Sequence, residues 1–172
     1  MKRLLVLTAL IISYTITLAQ APEVSRDASN GSKVIKGFIS KKDLVSDTAF
    51  SWFAENQKGF TPDQNSIQQL KANKDSLNII AFGGTWCGDT KHILPQFYAL
   101  ADAAGFPESR ITLLGVDRSK KTIQNLSEAF NITNVPTFIL MKNGKEIGRI
   151  VEYGRIGMPD KEIGQILAAA GK

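Results

Sequence analysis

The sequence predicts an α/β fold: a mixed central sheet flanked by helices, preceded by an N-terminal extension. Two observations carry this. The apolar runs Leu77 to Phe82 and Ile111 to Val116 are each followed by a stretch of helical periodicity, the pattern of parallel strands joined by a crossover helix. Farther on, Asn143-Gly144 stands between two more apolar runs, the strongest short-range signal for an antiparallel hairpin. The composition fits an ordinary globular protein, with 172 residues, 43% of them hydrophobic and 22% charged.

Taken in order, residues 1–19 read as a signal peptide, because Lys2 and Arg3 precede the apolar run Leu4 to Ile12 and the stretch then turns polar. A cut after Ala19 leaves Thr17 and Ala19 at the small-residue positions and Gln20 as the mature N-terminus. The run is too short and too interrupted by hydroxyl residues for a membrane span. The expectation is an exported protein, periplasmic or secreted, with no stable membrane insertion once the leader is removed. Loss of Lys2 and Arg3 lowers the formal net charge from +5 to +3. The remaining basic pairs, Lys41-Lys42 and Lys120-Lys121, have no interleaved aromatics, so no nucleic-acid partner is expected.

Residues 20–33, rich in Ser, Asn, Gly and Asp, read as a flexible lead-in. Residues 34–76 read as an N-terminal helical extension: a short strand Val34 to Ile39, then helices Asp43 to Gln57 and Pro62 to Lys74, the second capped by Thr61. Trp52, Phe53 and Phe60 are its expected core anchors. The core unit, residues 77–172, continues from the first strand with a helix Cys87 to Ala104, the second strand and a helix Lys121 to Phe130. Strands Thr137 to Met141 and Lys145 to Val151 and a closing helix Pro159 to Ala170 complete it. Residues 34–172 form one domain.

The chain has one cysteine, Cys87, and one histidine, His92, which excludes an internal disulfide and a Cys/His zinc site. No metal or cofactor is implied. Single cysteines are commonly small buried hydrophobes, but this one lies in Gly83-Gly84-Thr85-Trp86-Cys87-Gly88-Asp89-Thr90, between a buried strand and a helix. The unpaired N–H groups of Gly88, Asp89 and Thr90, together with the helix dipole, favour a thiolate there. The Thr90 hydroxyl is expected to donate to the sulfur, whereas the Asp89 carboxylate opposes the thiolate. Gly83-Gly84 lacks the lysine and hydroxyl of a phosphate loop and is read as letting the chain pass the Val135-Pro136 segment. His92 reads as a surface side chain, and Arg149 with Glu152 as an ion pair at a sheet edge. Sequons at Asn30, Asn125 and Asn131 matter only in a eukaryotic source.

The segment around Cys87 resembles the active site of the thioredoxin family, whose motif is Trp-Cys-Gly-Pro-Cys. Pro95 stands at the family's spacing for a helix-kinking proline, and Val135-Pro136-Thr137-Phe138 resembles its cis-proline segment, with the hairpin and final helix following in order. The likeness spans Leu77 to Ala170, and Gly148 to Glu152 is similar to the ends of exported bacterial thioredoxin-like proteins. The resemblance implies a thioredoxin fold. It implies Cys87 as attacking thiol, Trp86, Gly88 and Asp89 around it, and Val135, Pro136 and Thr137 along the substrate groove. Asp89 replaces the family's motif proline, Thr90 its resolving cysteine, and Ala81 its buried acid.

Two readings follow. In the first, Cys87 takes part in thiol-disulfide exchange or cell redox homeostasis as a monothiol, with Thr90 assisting it. The partners are then a disulfide- or thiol-containing protein or a small thiol, because an external thiol must resolve the mixed disulfide. In the second, the groove is a redox-inactive module that holds an extended peptide or protein segment.

Overall fold

A computed structural model describes residues 21–171, so the expected leader and its cleavage site lie outside the described residues. Among the described residues six strands form one sheet: β1 (Glu23–Arg26), β2 (Lys33–Ile39), β3 (Leu77–Gly83), β4 (Ile111–Gly115), β5 (Thr137–Lys142) and β6 (Lys145–Val151), in the spatial order β1-β2-β4-β3-β5-β6. Only β3 and β4 run parallel; β1–β2, β2–β4, β3–β5 and β5–β6 are antiparallel. The mixed sheet and the α/β class are those the sequence predicts.

Strand periodicity divides the apolar side chains between two faces. Ile79 and Ala81 of β3, Leu113 of β4 and Phe138 and Leu140 of β5 enter the larger core. Phe82, Leu114 and Ile139 enter a smaller one on the other face. The larger core is roofed by α2 (Trp52–Gln57), α3 (Gln64–Asn73), α4 (Gly88–Ala103) and α6 (Pro159–Ala170), with Leu44 of α1 (Lys41–Ser46) at its margin. The smaller core is closed by Ile123, Phe130, Ile132 and Leu126 of the short helix α5 (Leu126–Ala129).

Several elements differ from the sequence expectation, each for a local reason. The lead-in is partly ordered: β1 pairs with β2 from Glu23↔Lys36 to Arg26↔Lys33. Its turn is closed by polar bonds rather than apolar burial, with Asp27 accepting from the N–H and hydroxyl of Ser29, and Asn30 from those of Ser32. The expected helix Asp43 to Gln57 is split into α1, a 3₁₀ turn (Thr48–Phe50) and α2, because Asp47 is extended and its carboxylate caps Ala49 N–H. Asp63, not Thr61, caps α3 by accepting from Ser66 N–H at 2.9 Å.

The expected helix Lys121 to Phe130 shrinks to a 3₁₀ turn (Ile123–Asn125) and α5, with Gln124 and Asn125 left-handed. There the Thr122 hydroxyl donates to Gly115 O at 2.7 Å and pins the chain to the end of β4 before a helix can propagate. Among the expected anchors Phe53 is fully buried while Trp52 and Phe60 are only half-buried; Phe50 and Leu70 fill the centre instead.

The β1–β2 turn also carries a long-range ion pair, in which the buried Asp27 carboxylate accepts from Arg118 Nε. That guanidinium, helped by Ser29, holds the Asp27 carboxyl well below the ordinary carboxylate range. A depressed folded value means stability that is fully present above the ordinary value of 3.8 and is lost as pH falls below it. Asp27→Asn removes that proton uptake, so a plot of unfolding free energy against pH should flatten below pH 3.8 relative to wild type, as read by urea titration.

Candidate functional site

The site forms where β3 ends and β5 begins. Because β3 is paired with β4 on one side and β5 on the other, with Gly83↔Gly115 and Phe82↔Thr137 in register, the chain leaving β3 meets the chain entering β5. A turn follows β3, with Cys87 N–H donating to Gly84 O at 2.8 Å, and α4 starts at Gly88 with Lys91 N–H donating to Cys87 O at 3.0 Å. Cys87 is thus the N-cap of α4 and is half-exposed.

Its sulfur, expected beside the helix N–H groups, makes no side-chain cap bond to them. Instead Sγ–H donates to Val135 O at 3.3 Å, a bond that only the protonated sulfur makes. The Val135–Pro136 peptide is cis. Val135, Pro136 and Thr137 are buried, and the Thr137 hydroxyl donates to Asn134 O at 2.7 Å, bracing the loop rather than lining a groove. The fold therefore brings Trp86, Cys87, Val135 and Pro136 together, and places Thr137 beneath them.

Thr90 does not reach the sulfur. It is 1% exposed, and its Oγ1 accepts from Gly84 N–H at 3.2 Å, closing the turn between β3 and α4. Gly84 itself is required by Trp86 rather than by the Val135 segment, because a Cβ there would stand 2.7 Å from the indole. Ala81 is fully buried in the larger core, between Leu113 and Phe138 on the neighbouring strands. Pro95 lies buried inside α4. Arg149 pairs with Glu146, not Glu152, because the β-bulge between Leu140 and Met141 changes the local register. Glu152 instead accepts from Asn134 Nδ2 at 2.9 Å, and its N–H donates to Pro136 O at 2.7 Å. These two bonds tie the end of β6 to the cis-proline loop.

Three residues at the site carry no motif in the sequence. Thr85 is buried; its hydroxyl donates to Lys33 O at 2.9 Å and accepts from Ile35 N–H at 3.2 Å, fastening the Cys87 loop to β2. Arg118 lies 4.9 Å from the Trp86 ring centroid, while Trp86 Nε1–H donates to Val116 O at 3.0 Å. Tyr153, just after Glu152, packs 6.4 Å from the exposed His92 ring. Its hydroxyl titrates above the ordinary tyrosine range, first through partial burial and then because it faces the Asp89 carboxylate and Cys87. Tyr153, Ile156 and Met158 are exposed apolar residues of one loop that also holds the left-handed Gly154 and Gly157, and they make an apolar lip. Three large apolar residues in a glycine-punctuated loop are the sequence signal that could have flagged it.

Thr90→Val keeps the shape of the side chain but removes the acceptor for a buried Gly84 N–H. Its expected cost is about 1–3 kcal/mol in unfolding free energy, with Thr90→Ser close to wild type, both measured by urea denaturation.

Residues 60–158 match the family model described as Thioredoxin. Thioredoxin H2 of Arabidopsis thaliana is 36% identical over 77 residues, which span 45% of this chain and 53% of that protein. A thioredoxin of Chlamydia muridarum is 36% identical over 86 residues, spanning 50% of this chain and 74% of the relative. Among solved structures, a Pseudomonas aeruginosa protein of unknown function aligns with a TM-score of 0.50 at 14% identity, over 77% of this chain and 98% of its own, a likeness of fold alone.

Proposed function

We propose that this chain, which belongs to the thioredoxin family, is an exported monothiol protein of thiol-disulfide exchange, with Cys87 as its nucleophile. One observation carries the reading. The half-exposed Cys87 sulfur stands at the start of α4, 3.3 Å from Val135 O and in front of the cis Val135–Pro136 peptide. Leaving the thiol form frees the Val135 carbonyl to accept a hydrogen bond from an extended substrate backbone. Trp86 and Pro136 then flank that backbone, and Asp89 and Tyr153 form the opposite rim. The apolar leader pattern at residues 1–19 supports export.

The chemistry follows from the count of thiols. The Cys87 thiolate attacks one sulfur of a substrate disulfide; that S–S bond breaks, a Cys87–substrate disulfide forms, and the departing thiolate takes up a proton. An external thiolate then attacks the Cys87 sulfur, releasing the first substrate sulfur as a thiol. A second external thiol frees Cys87, and the two external sulfurs leave as a disulfide. The two electrons that reduce the substrate thus come from outside the chain, from a small-molecule or protein thiol. Thr90 cannot substitute for either external thiol, because resolving a mixed disulfide takes a thiolate and Thr90 carries a hydroxyl.

Incubation with oxidised glutathione, followed by acid quenching and intact-mass measurement, tests this. Wild type should accumulate a glutathione adduct, Cys87→Ser none, and Thr90→Cys little, because a neighbouring thiol would displace the adduct into an internal disulfide. A wild-type chain that stays unmodified under conditions that modify free cysteine contradicts the redox reading and favours the peptide-binding module.

A further inference from the structure

The N-terminal hairpin reaches the thiol site from outside the region that matches the family model, and it does so through one continuous set of contacts. Arg118 follows β4 on the loop beside Trp86, and its guanidinium is not free to move. Nε donates to the buried Asp27 carboxylate, and Nη2 donates to Ser29 Oγ at 2.8 Å, both in the β1–β2 turn. Two anchored nitrogens fix the plane of the guanidinium. That plane is then presented to the Trp86 indole, 4.9 Å from its centroid.

The indole is held on its other contacts as well. Nε1–H is fixed on Val116 O, and the Gly84 backbone lies so close that no side chain fits there. The contact with Arg118 depends in turn on Asp27, 91 residues earlier in the chain. Thr85, the residue before Trp86, is fastened to β2 of the same hairpin. An exposed ion pair would be worth little, but here the carboxylate is buried and saturated by Arg118 and Ser29, so it acts as a fixed post.

We propose that the β1–β2 hairpin is a clamp on the thiol site, in which Asp27 and Arg118 are positioning residues that fix Trp86 beside Cys87 and so set the rate at which the sulfur reacts with a disulfide. The rate half of this rests on the exchange function proposed above; the clamp on Trp86 does not.

The test uses the full chain with Trp52→Phe, so that Trp86 is the remaining fluorophore, and adds Arg118→Met or Arg118→Lys. Arg118 is half-exposed, so neither change removes core packing. Acrylamide quenching reports the freedom of Trp86. Mass-detected adduct formation with hydroxyethyl disulfide, a neutral probe insensitive to electrostatic steering, reports the sulfur. Arg118→Met should raise the Trp86 quenching constant and slow adduct formation about fivefold, the size expected for loss of one cation–π contact, both read well below the melting temperature, which the loss of the Asp27 pair lowers. Arg118→Lys, which keeps a cation for Asp27 and the indole, should recover part of both. Quenching that matches the parent in Arg118→Met overturns the clamp, and increased quenching with an unchanged rate overturns its role at the sulfur. A parent chain that forms no adduct overturns the exchange function instead, while the quenching comparison still decides the clamp.

Discussion

The arrangement depends on β3 being hydrogen-bonded on both sides. Parallel pairing with β4 sends the chain leaving β3 over the sheet as α4, and antiparallel pairing with β5 brings the start of that strand to the same end. Two loops distant in sequence must then meet, one ending in Cys87 and the other in the cis Val135–Pro136 peptide. Burial enforces the register: a slip of one residue would exchange Ile79 and Ala81 with Ile80 and Phe82 between the two cores. The position of the sulfur therefore rests on the cohesion of the whole sheet rather than on the motif around it.

The site itself is built by taking polar groups out of play. Thr90 satisfies Gly84, Thr137 satisfies Asn134, and Thr85 satisfies both Lys33 and Ile35. Each bond rigidifies a turn that would otherwise leave backbone groups unpaired. What is left facing outward is a thiol, an indole and the apolar lip of Tyr153, Ile156 and Met158. A lone nucleophile in a rigid frame can form a covalent bond to a partner but has no internal means of ending it.

How much of this was legible follows from the range of the forces involved. Strands β3 to β6 and helices α4 and α6 were readable because the apolar period and the Asn143-Gly144 turn act over a few residues. The position of Cys87 at a strand-to-helix junction was readable for the same reason. The partners of Thr90 and Sγ were not, since helix-terminus reasoning fixes where a side chain starts and not which of several nearby acceptors or donors it takes. Strand β1 was hidden because its turn is held by Asp27 and Asn30 side chains, in a composition that also describes disorder. Arg118 was hidden more deeply, as its partner lies 91 residues away and nothing local in either segment announces it. The breaks at Asp47 and Gln124 show a third limit, in which a capping bond or a tertiary bond overrides a helical period.

The central claim is that Cys87 works by forming disulfides with thiols outside its own chain. It is tested most directly by expressing the full chain in a bacterium, quenching thiols in acid within seconds, and mapping every disulfide to Cys87 by non-reducing peptide mass spectrometry. A fraction of Cys87 is expected to be recovered joined to a small thiol or a defined partner cysteine, and this fraction should rise when the external thiols that resolve it are depleted. Recovery of Cys87 solely as free thiol, with or without that depletion, would contradict it.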